Sequence, residues 1–353
     1  MLRLEPRQEA SPAMGILTPF LAVVATMLAG GVLFALLGKD PVEAIRVIFL
    51  DPLLDPFARS ELIVKGAPLV LIAIGLALGF RAGIWNIGAA GQFAVGAIAS
   101  SAVALAFWGV AGIWLLPLMA LAGAAAGAAW AMIPALLKVR FGANEILVSL
   151  MLVYVAEQLL FGLVNGPLRN PDGFNFPESR LFHDSATLPL LFSGTRAHVG
   201  ALVALAAVVV AHLLLRHHLL GFQIRLAGDA PRAAAFAGIR NARIVVVCFA
   251  ISGGLAGLAG TFEVAGPVGQ LVPALPLEYG FTAIIVAFLG RLQPIGILLA
   301  GAVMALTYIG GETAQLMLQL PAAAISVFQG MLLFFLLAMD LLVSYRLRWS
   351  RTA

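Results

Sequence analysis

Ten apolar stretches, most of them close to twenty residues long, set the limits on any fold open to this chain. They fall near 14–37, 63–80, 84–107, 111–136, 145–164, 199–215, 244–265, 279–290, 294–310 and 321–343. A helix of about 20 residues crosses the ~30 Å hydrocarbon layer of a bilayer. Inside that layer only helices and closed barrels satisfy their own backbone polar groups. The runs are continuous and do not alternate, so a barrel is excluded. Composition agrees, with 62% hydrophobic and only 11% charged residues, where a soluble domain has about a quarter charged. The expectation is an all-α polytopic transmembrane bundle of about ten spans, one membrane domain over residues 1–353. The eighth run is short, and the third is interrupted by Gly and polar residues. The first run lacks the short apolar region of a cleaved signal peptide and is read as a true span.

Basic residues orient the bundle. With the N-terminus inside, Arg3, Arg7, Arg81, Lys138, Arg140, Arg216, Arg225, Arg232, Arg240, Arg243, Arg291, Arg346, Arg348 and Arg351 fall on the cytoplasmic side. These are 14 of the 21 Lys and Arg residues. Lys39, Arg46, Arg59, Lys65, Arg169, Arg180 and Arg196 fall outside. By the positive-inside rule both termini are expected in the cytoplasm of a multi-pass inner-membrane protein. The net charge of +4 follows from that cytoplasmic excess and calls for no nucleic acid.

Several chemistries are excluded. Cys248 is the single cysteine, so no intrachain disulfide or multi-thiolate metal site exists. His217 and His218 are neighbours, which a helix points about 100° apart, with no third ligand nearby. No phosphate-binding glycine loop, zinc-binding H-E-x-x-H or nucleophile elbow G-x-S-x-G occurs. If ATP drives this protein, another chain binds it.

Two longer segments separate the runs. Residues 165–198 carry three Arg against Asp172, Glu178 and Asp184, with Pro, Gly and aromatic residues suited to a compact extracytoplasmic loop. Residues 216–243 are basic and are read as cytoplasmic. Within them "GDAPRAAAFAG" reads as a bounded helix: Asp229 as N-cap, Pro231 in the first turn, helix formers after Arg232, and Gly238 as the left-handed stop. A helix of two turns has little intrinsic stability, so it is expected to dock on something, Phe236 and an alanine face entering a cleft and Arg232 adding polar contacts.

Five segments together resemble the membrane permeases of bacterial ATP-binding-cassette importers for nucleosides and simple sugars: "GFRAGIWNIGAAGQFAVGA" (79–97), "GANEILVSLMLVYVA" (142–156), "GPLRNPDGFNFPES" (166–179), "AGDAPRAAAFAGI" (227–239) and "YGFTAIIVAFLGRLQPIG" (279–296). Their order and spacing fit nearly the whole chain, and the N-I-G-x-x-G-Q and G-P-L-x-x-P-x-G-F-x-F-P forms look most like the first of two paired nucleoside permeases. Ala90 departs from the pattern at a position where many relatives are acidic, so no charge role attaches to it here. The resemblance implies a paralogous second permease, a cytoplasmic ATPase that binds the ATP, and an extracytoplasmic binding protein. This chain then holds no cofactor. It also implies that residues 229–238 transmit the ATPase motion.

The polar residues of 79–100 now have a use. Gly88, Gly91 and Gly96 permit close helix approach or a break, while Asn86 and Gln92 offer amides either to a neighbouring helix or to a neutral solute on the substrate pathway. Gly123-x-x-x-Gly127 and Gly253-x-x-x-Gly257 are read as helix-packing motifs. A faint internal repeat pairs "GFRAGI" at 79 with "GFTAII" at 280, each followed by a further Gly, at 96 and 296. The opposing reading is a proton-coupled secondary carrier using Glu157, Glu263 and Asp340. Those acids are scattered and have no basic partner within a span. A docking helix also has no purpose in a lone carrier. A membrane enzyme would need a convergent set of acid, base or metal ligands, and the sequence offers none.

Overall fold

A computed structural model describes residues 2–6 and 12–349 of the chain. In order the helices are α1 (Pro12–Leu36), α2 (Pro41–Phe49), α3 (Asp51–Leu54), α4 (Pro56–Arg81), α5 (Ala89–Ala106), α6 (Leu115–Phe141) and α7 (Glu145–Asn165). They continue as α8 (Gly200–His217), α9 (Leu219–Asp229), α10 (Pro231–Phe236), α11 (Asn241–Glu263), α12 (Tyr279–Leu289), α13 (Pro294–Leu318) and α14 (Ala322–Ser344). Among the described residues nine helices are long and apolar enough to cross a membrane, and α12 is a shorter apolar helix. The helical bundle read from the sequence is therefore present, with the eighth run as the exception. Eleven residues rise only about 16 Å.

Two compact units divide the chain. The smaller comprises residues 1–59 and 305–353. There α1 packs on α14, with Phe34 stacked on Phe328 at 5.7 Å between centroids and Gly30 lying flat against the Phe328 ring. Helix α2 starts sharply because Asp40 Oδ1 accepts from the Val42 and Glu43 amides at 2.8 and 3.3 Å. It buries Ala44, Val47 and Ile48. Strands β1 (Leu2–Pro6) and β2 (Tyr345–Trp349) form an antiparallel ribbon in the register Leu2 to Trp349. This ribbon was not expected from the sequence, and it pairs Leu2–Pro6 with Tyr345–Trp349.

The larger unit, residues 60–304, is built around α5, α6 and α11. Its centre is made of glycine. A β-carbon at Gly257 would collide with the Gly123 carbonyl, one at Gly127 with the Gly253 carbonyl, and one at Gly96 with Gly257 itself. The two G-x-x-x-G motifs read from the sequence thus face each other, letting backbones of α6 and α11 touch, with α5 against the same spot. At one end a cluster of Leu78, Ala82, Ile84, Ala135, Leu215, Ile224, Val245 and Phe249 joins α4, α6, α8, α9 and α11. Helix α9, absent from the sequence reading, has apolar residues at 220, 224 and 227 and is capped by His218, whose Nδ1 accepts from the Leu220 amide at 3.1 Å.

Candidate functional site

Helix α4 ends at Arg81 and α5 begins only at Ala89, so the third apolar run is broken at its start. Gly83 takes φ +70°, a left-handed turn that glycine adopts without cost, and residues 84–88 are in neither helix nor strand. An amide knot holds this unwound backbone. Asn86 Nδ2 donates to Gln92 Oε1 at 2.8 Å and to Ser252 Oγ on α11 at 2.9 Å. In return Gln92 Nε2 and the Gly88 amide each donate to Asn86 Oδ1 at 3.0 Å. Both side chains are buried, and every bond the knot makes is internal to the chain.

The glycines beside the knot face α7. A β-carbon at Gly88 would lie 2.7 Å from the Ser149 carbonyl, and one at Gly91 would lie 3.0 Å from that of Leu152. Ser149 Oγ also accepts from the Ile87 amide at 3.2 Å. Asn86, Gly88, Gly91 and Gln92 are therefore brought together as one joint between α5, α7 and α11.

A second break occurs before α12. The non-helical segment near Leu271 is tied to the 166–198 loop: the Ser179 amide donates to the Leu271 carbonyl and the Leu271 amide to Ser179 Oγ, both at 2.9 Å. Nine residues later Gly280 lies on the backbone of Ala90, at the start of α5. Residues 271–278 thus descend without helix, and α12 covers the remaining depth. The paired motifs at 79 and 280 occupy different places: Gly79 ends a helix before its break, and Gly280 opens one after its break.

Helix α9 meets the first break. Gly228 has no room for a side chain because the Arg81 carbonyl sits against it. Arg81 Nε donates to the Leu292 carbonyl at 2.8 Å, and its neighbouring charges on α9 are Arg225 and Asp229. Arg291 and Leu292 both have positive φ, +53° and +55°, a strained conformation for residues with side chains. Pro231 opens α10, and Gly238 takes φ +79° as expected. Asp229 corrects the sequence reading, since it ends α9, while Ala230 occupies the N-cap of α10 with no side-chain bond. Arg232 is exposed and Phe236 is 94% exposed at the end of this short helix.

At the opposite end the 166–198 loop is compact. Glu61, buried on α4, is held in a two-point ion pair by Arg196, with Nε to Oε1 at 2.9 Å. Buried Glu263 at the end of α11 faces the charges of Lys65, Arg196 and Glu278. A cavity of about 520 Å³ is lined by Trp108, Asn170, Asp172, Glu178, Arg180, Leu181 and Gln270. Arg180 stacks over Trp108 at 5.3 Å and pairs with Asp172 at 2.8 Å. His198, beside Gly200 and Gly266, is pushed down by burial to about 4. The side chain of Asp340 lies outside the described residues.

The family model for the permease component of branched-chain amino acid transport systems matches residues 58–337. The chain belongs to this permease family. It is 37% identical, over 98% of its length and 93% of the relative's, to the glucose ABC transporter permease protein TsgB13 of Haloferax volcanii. It is 29% identical to the guanosine ABC transporter permease protein NupP of Bacillus subtilis, covering 91% of this permease and 92% of that one. The guanosine ABC transporter permease protein NupQ of the same organism is 28% identical over 67% and 76% of the two chains. No solved structure matches. This permease is thus a multi-pass transport subunit, and the sequence reading missed the link from α4 to the turn between α12 and α13 because Arg81 to Leu292 is a contact across 211 residues.

Proposed function

We propose that this permease is one of two paralogous membrane chains of an ATP-binding-cassette importer that carries nucleosides or related simple sugars. A cytoplasmic ATPase supplies the energy and an extracytoplasmic binding protein delivers the solute. The carrying observation is the end-to-end likeness to a glucose permease, reinforced by a guanosine pair in one organism whose NupP member aligns with more of this chain than NupQ does. Asn86, Gln92, Gly88 and Gly91 serve the substrate pathway by fixing the start of α5 against α7. Asp229, Pro231, Arg232, Phe236 and Gly238 form the ATPase-coupling element, with Phe236 as its anchor. Exposed aromatic side chains are frequent anchors of interfaces.

Uptake of labelled glucose, ribose, guanosine and uridine is measured in cells lacking this chain and in complemented cells, with and without the ATPase. The proposal expects uptake of a sugar or nucleoside that needs both chains. Uptake surviving loss of the ATPase would instead establish a secondary carrier. Phe236→Asp and Arg232→Asp are expected to weaken ATPase association or to uncouple hydrolysis from uptake while the chain remains inserted. Unchanged uptake in both would remove the coupling role from α10.

A further inference from the structure

Helix α7 has two faces with opposite chemistry. Ser149, Val153, Ala156, Leu160 and Val164 form its buried stripe, and that stripe rests on the glycines of the amide knot. On the other face Glu157 and Gln158 are exposed. Among the described residues neither side chain has a hydrogen bond or ion pair. Glu157 stands twelve residues from Glu145 and eight from Asn165 in a 21-residue helix, roughly 18 and 12 Å along the axis. Its short stem cannot carry the carboxylate to an interface in the way that Lys and Arg reach one. A carboxylate at that depth is not left facing lipid.

Tyr154 and Phe161 stand three residues before and four after Glu157, so they share its stripe, and both are more than half exposed. Beside them Gly162 is open, with nothing within 4 Å of a β-carbon built on it. A carboxylate and an amide between two aromatic faces match a neutral ring that carries hydroxyls: the acid accepts, the amide does both, and the aromatic faces cover the ring's apolar side.

We propose that Tyr154, Glu157, Gln158 and Phe161 line a water-filled route at the seam between this permease and its paired chain, and contact a neutral, hydroxyl-bearing solute there. This rests on the importer reading above. It also gives the amide knot its purpose, which is to hold α7 from behind while the opposite face meets the solute.

The test uses the complete importer in proteoliposomes. The native thiol, Cys248, is buried and gives little background. Glu157→Cys and Gln158→Cys are labelled with a charged, water-soluble thiol reagent, with Leu202→Cys on the exposed face of α8 as the lipid control. The expected result is labelling at 157 and 158 but not 202, slowed on the order of tenfold by saturating transported solute. Labelling only by a membrane-soluble maleimide would place the face in lipid and overturn the proposal. No labelling by either reagent would mean a closed protein contact, and labelling without protection would mean a wet face that the solute does not touch. Either result also overturns it. Should both cysteine variants fail to assemble, uptake by Glu157→Gln and Glu157→Leu decides: the neutral acceptor is expected to retain most uptake and Leu to lose about tenfold, and equal uptake in both overturns the contact. ATP-independent uptake by the unmodified complex would instead defeat the importer reading, whatever the labelling pattern.

Discussion

At Gly257 the backbone carbonyl of Gly123 occupies the place of a side chain, so Gly257→Ala must push α6 and α11 apart. The expected loss is about 1–3 kcal/mol, read as a lower thermal unfolding midpoint in detergent. Gly254, three residues back, has its nearest neighbour at 3.7 Å, so Gly254→Ala is expected to be nearly neutral. His198 gives a pH-dependent counterpart. Its imidazole ordinarily titrates near 6.5 and burial pushes it to about 4, so between these values the unfolded chain binds a proton that the folded one refuses. Stability is therefore full above about 6.5 and falls as pH drops toward 4. His198→Asn, which retains an acceptor for the Gly200 amide now bonded at 3.2 Å, should flatten the slope of unfolding midpoint between pH 7 and 4.5. The glycine contacts were legible because a four-residue spacing of small residues has one physical use between membrane helices. The isolation of Glu157 was not, since an acid in an apolar run reads the same whether it points inward or outward.

Among the elements, apolar length located every membrane-crossing helix but not the breaks within the runs. The pause at 82–88 was signalled by Asn86 and Gly88. The descent at 271–278 falls between the apolar runs at 244–265 and 279–290 and carries Pro273 and Pro276, but its tie to the distant Ser179 was not legible. Helices α2 and α9 escaped notice for a related reason: each is short, and each is stabilised by packing that the sequence does not display. On the proposed importer reading, contacts of the same distant kind would carry ATPase motion from α9 into the bundle. Gly228 presses on the Arg81 carbonyl, and Arg81 in turn holds the strained turn at Arg291 and Leu292. Arg81→Ala is expected to leave the ATPase bound while uptake per ATP hydrolysed falls roughly tenfold, within the range of ordinary coupling energies. Arg81→Lys, which keeps one donor, should restore part of it. Parallel loss of ATPase binding and uptake, with an unchanged ratio, would reduce Arg81 to a residue that only supports the fold.

For the whole molecule, hydropathy establishes a membrane protein and the 166–198 loop and α10 give its two ends distinct surfaces, yet among the described residues the mid-span carboxylate of Glu157 has no hydrogen-bond or ion-pair partner. A subunit that meets its own kind through such a face is incomplete alone, and binding that occurs only in the folded state adds stability by mass action. Purified without its paired chain, this permease is therefore expected to unfold several degrees lower and to aggregate. Co-expression with the paralogue should give a one-to-one complex by light scattering, with a higher midpoint that falls on dilution. Glu157→Leu separates the two uses of the α7 face: it should improve the lone chain by removing a charge that would otherwise face lipid, and impair uptake in the pair. A stable homodimer that imports solute with the ATPase and binding protein alone would replace the paralogous pairing with a symmetric one. The seam would then carry two copies of Glu157 in the same route.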